Sequence, residues 1–319
     1  MTLNPFAPLV GQQQAVELLT QAVRQNRLAP AYLFAGPDGV GRSLAALCFI
    51  ELLFSEGETR NLTSLHKRLH EGNHPDLFWV QPTYQYQGQR LTAAEATEKG
   101  LKRKAPPVIR LEQIREITQF LGRPPMEAPR NVVVLEQAET MAEGAANALL
   151  KTLEEPGQAT LILMVPTPES ILPTLVSRTH RIPFYSLDVS SLTQVLTQAG
   201  HQEVLQHPAV LSIAAGSPGQ AIASYEQLQT IPEQLLKDVM KVPSSYLHAL
   251  ELAKKIDKEL DNEQQLWLVD YLQHSYWQKW HQPGAIKQLE QARKALLCYA
   301  QPRLVWECIF LFIYQVPAG

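Results

Sequence analysis

Residues 31–43 read Ala31-Tyr32-Leu33-Phe34-Ala35-Gly36-Pro37-Asp38-Gly39-Val40-Gly41-Arg42-Ser43. The apolar run 31–34 predicts a short strand. Residues 36–43 fit the phosphate-loop pattern G-x-x-x-x-G-K-[ST], with Arg42 standing where lysine is expected. From Ser43 to Phe54 the apolar spacing becomes helical, so the glycines sit in the required strand–loop–helix context. The chemistry explains the spacing. Gly36, Gly39 and Gly41 let backbone N–H groups curl around phosphate oxygens, and the helix that follows adds its positive N-terminal end. Ser43 is placed to supply the hydroxyl that ligates Mg²⁺ in such loops.

Working outward, residues 14–26 carry Val16, Leu18, Leu19, Ala22 and Val23 at helical spacing. Leu77-Phe78-Trp79-Val80 predicts a second strand, and residues 111–121 a helix with Ile114, Ile117 and Leu121 on one face. Residues 131–135 (NVVVL) and 160–165 read as buried strands separated by a helix over 145–153. Alternating helices and strands through residue 185 predict an α/β domain with a mainly parallel sheet. Residues 83–107, rich in Gln, Thr and Lys, read as a mobile surface insertion. After Phe184 the pattern is helical: a small unit over 192–215 ending at Gly216-Ser217-Pro218-Gly219, then longer helices broken near Pro243, residues 281–284 and Pro302.

The chain has 319 residues, 45% hydrophobic and 18% charged, with a formal net charge of −3, which argues against a free-standing nucleic-acid binder acting by general attraction. Lys99, Lys102, Arg103 and Lys104 form a basic cluster that reads as a solvated face. Cys48, Cys298 and Cys308 form no CxxC pair and read as buried thiols of a reducing compartment. Residues 1–14 lack a secretory pattern, and no stretch reaches the roughly 18–20 apolar residues of a membrane span, so a cytoplasmic location is expected.

Hydrolytic chemistry is missing. A planar guanidinium at Arg42 does not replace the compact ammonium that reaches the β- and γ-phosphates. The strand at 131–135 should end in a metal-binding Asp and a Glu that orients water; this chain has Glu136 and Gln137. Losing such a base costs on the order of 10²–10⁴ in rate. Residues 216–221 also lack the arginine that a helical lid delivers to the γ-phosphate.

The remaining motifs carry a resemblance. Gly11-Gln12 with residues 31–37 resembles the GQ…AYLFxGP opening of bacterial clamp-loader AAA+ subunits, and His74-Pro75-Asp76 matches their HPD motif. Residues 147–156 (NALLKTLEEP) match a clamp-loader helix almost letter for letter. Leu172-Pro173-Thr174 with Ser177-Arg178 resembles LPT…SRC, Thr179 replacing the cysteine, and residues 302–307 resemble the NP.LALE helix of the collar. Degenerate nucleotide motifs beside an intact Ser-Arg pair resemble the delta-prime type of DNA polymerase III subunit.

The resemblance implies an AAA+ phosphate-loop domain over residues 1–185, a helical lid over 186–228 and an all-α collar, or oligomerisation, domain over 229–319. It implies partnership with delta and tau/gamma subunits, and through them with the sliding clamp and primer-template DNA. Arg178 is then an arginine finger offered in trans, worth roughly 10³–10⁵ in rate in other NTPases. No cofactor is required, and ATP binding stays open at Gly36, Gly39, Gly41, Arg42 and Ser43, with Glu136 and Gln137 as a degenerate metal and water site. Zinc is not expected: residues 54–73 lack the cysteines of many relatives, and His66, His70 and His74 have no fourth ligand nearby. Two rival readings are an active AAA+ ATPase motor and a DNA-binding adaptor acting through residues 99–104.

Overall fold

In the computed structural model, which describes residues 5–55, 62–99, 106–154, 157–281, 283–298 and 300–315, the chain divides into two compact units, Met1–Ser186 and Leu187–Gly319. In the first, elements run α1 (Gln13–Arg24), β1 (Ala31–Ala35), α2 (Arg42–Ser55), α3 (Leu62–His70), β2 (Leu77–Val80), β3 (Tyr84–Tyr86), β4 (Gln89–Leu91), α4 (Ala93–Glu98) and α5 (Leu111–Leu121). Then come β5 (Asn131–Leu135), α6 (Glu143–Glu154), β6 (Ala159–Val165), α7 (Pro173–Val176) and β7 (His180–Pro183). The second unit is helical: α8 (Val189–Gln198), α9 (Pro208–Ala214), α10 (Pro218–Thr230), α11 (Glu233–Val239), α12 (Tyr246–Glu259), α13 (Asn262–Trp280), α14 (Pro283–Leu297) and α15 (Pro302–Gln315).

The expected parallel sheet is present, in the order β2-β5-β6-β1-β7. Every residue of β1, β5 and β6 is buried, because helices cover both faces. Alternation along each strand sorts the side chains. Tyr32, Phe34, Ile162 and Met164 meet Leu19, Phe49 and Ile50 on one face, while Leu33, Val133, Leu135 and Leu163 meet Ile114, Ile117 and Leu149 on the other. β1 and β5 flank β6, so their C-terminal ends bring the 36–43 loop and Glu136 to the same edge of the sheet. Ligands of open α/β sheets bind at that edge.

The insertion departs from expectation. Thr83 bridges Val108, and β3 pairs with β4 as a hairpin whose two-residue turn, Gln87 and Gly88, has φ of 49° and 79°. Positive φ at both turn positions matches strand twist, so this polar segment folds although its composition reads as loop. Arg90 locks it to α5 with hydrogen bonds of 3.1 and 2.5 Å to Glu116, over a cavity of about 770 Å³ beside β2. Lys99 is exposed after α4; Lys102, Arg103 and Lys104 lie outside the described residues.

In the second unit, apolar side chains gather in two clusters, one between Leu187 and Ala221 and one between Ile231 and Ile313. The Gly216–Gly219 segment does not end the helical unit. Ser217 caps α10 by accepting from Gln220 N, with Pro218 at its first turn, so the segment starts a helix. Inside the larger cluster Trp306 Nε1 donates to Gln265 Oε1 at 2.8 Å, and Gln265 Nε2 donates to Leu260 O at 2.9 Å. Leu289, Ala292 and Leu296 are buried as expected for core, but Leu304 is exposed. The cysteine reading holds only for Cys48. Cys298 and Cys308 are exposed, because helical spacing turns the neighbouring Leu296, Ile309 and Phe310 inward instead. Among the described residues no helix is long and apolar enough to cross a membrane.

Candidate functional site

The 36–43 loop leaves β1 at Gly36, whose N–H still donates to Val165 O. A side chain here is excluded by contact: a Cβ on Gly36 would lie 2.3 Å from Phe184 O. Gly39 and Gly41 take φ of 75° and 103°, a region other residues rarely adopt. Gln12, buried, ties the loop down. Its Nε2 donates to Val40 O at 3.2 Å and to Tyr185 O at 2.7 Å, and its Oε1 accepts from Tyr185 N at 3.1 Å. Gln12, of the Gly-Gln pair singled out in the sequence, is thus a clasp on the loop.

Arg42 opens α2 and is 7% exposed. Its guanidinium turns back into the loop and pairs with Asp38 through Nη2, while Nη1 is buried without a hydrogen-bond partner. Ser43 Oγ donates to Glu136 Oε1 at 2.8 Å, and Gln81 Nε2 donates to Glu136 Oε2 at 2.9 Å. The loop and the end of β5 therefore do converge, and the sequence-predicted pair Ser43 and Glu136 meet directly. Gln137 is exposed and left-handed, with φ 48° and ψ 51°, and its carbonyl accepts from Thr140 N and Oγ1.

Sequence reading missed Asp38 and Glu139. Glu139 sits in the short 3-10 turn after β5, Ala138–Thr140, with Oε2 buried and unpartnered. Burial pushes its carboxyl above the usual range, Asp38 pushes the same way, and Arg42 pulls it back. One guanidinium thus lies within electrostatic reach of two carboxylates. The available signal was Asp38 four residues before Arg42.

The HPD motif has a structural role. Asp76 is buried and accepts from the backbone N–H groups of Met126, Glu127 and Ala128 at 2.7, 2.8 and 2.7 Å. Burial pushes its carboxyl up, but those three donors, with His74, leave it below the usual carboxylate range. His74 Nδ1 accepts from Asp76 N, and its ring packs on Phe54. Burial and Arg68 hold its pKa down. The His66 and His70 rings lie 4.3 Å apart, and His66 bonds Glu51. Among the described residues no group of three or more His, Cys, Asp or Glu side chains is arranged to hold a metal.

Arg178 follows α7 and is exposed. Its Nη1 donates to Thr174 O at 3.1 Å and its Nη2 to Glu154 Oε1 at 3.2 Å, Glu154 being the last residue of α6. Glu155 and Pro156, which complete the NALLKTLEEP motif, lie outside the described residues. An ion pair with both partners this exposed contributes about 0–1 kcal/mol, so it yields readily to a competing anion.

Comparison with known proteins covers both units. A family model described as "DNA polymerase III, delta subunit" matches residues 11–188, and one described as "Cyanobacterial DNA polymerase III delta prime, C-terminal domain" matches residues 190–313. DNA polymerase III subunit delta' of Pseudomonas aeruginosa is 31% identical over 259 residues, which is 78% of this chain and 71% of that protein. Subunit delta' of Bacillus subtilis is 31% identical over 204 residues, 63% of this chain and 54% of that protein, so the chain spans about half of that relative. Subunit gamma/tau of Mycobacterium tuberculosis is 26% identical over 230 residues, 70% of this chain and 37% of that protein. Among solved structures, a DNA polymerase III gamma subunit-related protein of Thermotoga maritima aligns at a TM-score of 0.56 and 16% identity, over 93% of this chain and 98% of that one. That likeness is one of fold.

Proposed function

The chain belongs to the family of DNA polymerase III delta-prime subunits, and from that premise we propose that it is a non-hydrolysing AAA+ member of a clamp loader. In this reading it joins delta and tau/gamma subunits in the cytoplasm, and the assembly places a sliding clamp on primer-template DNA. The first unit serves as a fixed scaffold, residues 186–228 as its lid and residues 229–319 as the collar through which subunits associate. The chain needs no nucleotide, metal or membrane of its own.

The observation that carries the reading is the state of the loop beside the state of Arg178. The cation of the loop is turned onto Asp38, Ser43 is bonded to Glu136, and Gln137 cannot act as a carboxylate base. Arg178, in contrast, stands exposed in an intact Ser-Arg pair, held by a weak exposed contact. A chain that keeps the outward arginine while its own chemistry lapses is suited to completing a neighbour's site. The mechanism is electrostatic: a guanidinium reaching the γ-phosphate of ATP on the adjacent subunit stabilises charge as it spreads in the transition state.

The test is DNA-stimulated ATPase of a reconstituted complex carrying Arg178→Ala. The expected result is a fall of about 10³ or more, and unchanged ATPase and clamp loading would sink the proposal. Mg²⁺-dependent turnover by the purified chain, abolished by Ser43→Ala, would favour an active motor instead.

A further inference from the structure

We propose that the 36–43 loop is a latent polyphosphate site, kept closed to nucleotide by the carboxylate of its own Asp38. The inference rests on the reading that this chain does not hydrolyse ATP, and it names what keeps the loop silent. A phosphate loop binds through a cation free to meet the incoming phosphates. Here the only residue at that position is Arg42, nine-tenths buried, with its Nη2 committed to Asp38. Its remaining terminal nitrogen, Nη1, is sealed from solvent with no partner, a donor deprived of an acceptor. Glu139, with a buried unpartnered oxygen of its own, adds a second carboxylate within reach of the same guanidinium.

Two physical consequences follow. A polyphosphate entering the loop must displace Asp38 from Arg42 and then lie beside that displaced carboxylate, a like-charge contact in a half-buried place. The backbone of the loop is otherwise still of phosphate-binding form, with Gly39 and Gly41 at positive φ and a fourteen-residue helix starting at Arg42. The arginine that replaces lysine is therefore a cation that has changed partner. Removing the charge of Asp38 frees Arg42, with its unpartnered Nη1, to take phosphate oxygens as acceptors.

The experiment is calorimetric titration of the full chain with ATP and magnesium, wild type against Asp38→Asn. The expected result is saturable binding by Asp38→Asn at least about tenfold tighter than any binding by wild type. The gain should vanish when Arg42→Ala is added. Saturable wild-type binding as tight as that of Asp38→Asn overturns the proposal, as does a folded Asp38→Asn that gains nothing, or a gain that survives Arg42→Ala. Circular dichroism checks folding, and Asp38→Ser stands in should the asparagine variant fail to fold. A null result for Arg178→Ala in the assembled complex would overturn the functional reading while leaving these titrations as they are.

Discussion

Gln12 and Tyr185, 173 residues apart, are joined through both halves of one amide: Gln12 Nε2 donates to Tyr185 O at 2.7 Å, and Tyr185 N donates to Gln12 Oε1 at 3.1 Å. The same Nε2 reaches Val40 O inside the 36–43 loop. Gln12→Ala leaves these backbone groups without their side-chain partner in a buried place. The expected loss is about 2–3 kcal/mol of unfolding free energy. Denaturant titration measures it; a change under about 0.5 kcal/mol would show that the clasp is incidental.

Gly36 tolerates no side chain for a reason unrelated to φ. The backbone of Phe184 passes so close that an alanine Cβ would meet its carbonyl oxygen at 2.3 Å and its Cβ at 2.7 Å. Neither atom is the free end of a flexible side chain. Gly36→Ala should destabilise by about 1–3 kcal/mol. Wild-type thermal stability in that variant would contradict the packing described.

Acid should loosen the segment before β5. The folded-state pKa of Asp76 lies below its ordinary 3.8, so its stabilisation is present above that value and lost as pH falls through the folded pKa. His74 is depressed below 6.5, so the stability linked to its neutral form is held above 6.5 and declines as pH drops toward its folded value. Wild type should therefore lose stability in two stages. Asp76→Ala should cost about 2–4 kcal/mol at pH 7 and flatten the lower stage. A wild-type acid profile that Asp76→Ala leaves unaltered would count against the three-donor cradle.

The three cysteines should separate kinetically. Cys48 is buried, and burial together with the charge of Glu51 pushes its thiol up to about 11; Cys298 and Cys308 are exposed. A thiol-reactive reagent at neutral pH should modify two cysteines quickly and Cys48 only on unfolding. Mass spectrometry of the labelled protein decides the matter, and rapid labelling of Cys48 would contradict its burial.

The strands at the centre of the sheet were legible because β5 and β6 are mostly Val, Leu and Ile with no polar alternation, the mark of strands covered on both faces. The phosphate loop was legible because its glycines hold fixed spacing between a strand and a helix. β7 was not. At the sheet edge its His180 and Arg181 face solvent, and no apolar alternation survives. The sequence of the β3–β4 hairpin reads as a mobile loop, since its strands are largely polar and its one signal is the Gln87-Gly88 turn. At the site, Arg42, Ser43, Glu136 and Gln137 were found by position in a motif. Asp38 and Glu139 were not: the four-residue spacing of Asp38 and Arg42 permits a pair, but only the fold shows the guanidinium turned back on its own loop, and Glu139 carries no linear signal.

A division of labour, with a silent loop here and chemistry in the subunit next door, is the role proposed for this chain. DNA-stimulated ATPase of one reconstituted complex, with this chain as wild type, Gln137→Gly or Arg178→Ala, tests it most directly. Gln137→Gly clears the water-orienting position and suits its left-handed backbone. Gln137→Gly should run at the wild-type rate while Arg178→Ala falls by about 10³ or more. A rate that collapses with Gln137→Gly and persists with Arg178→Ala would contradict that division of labour.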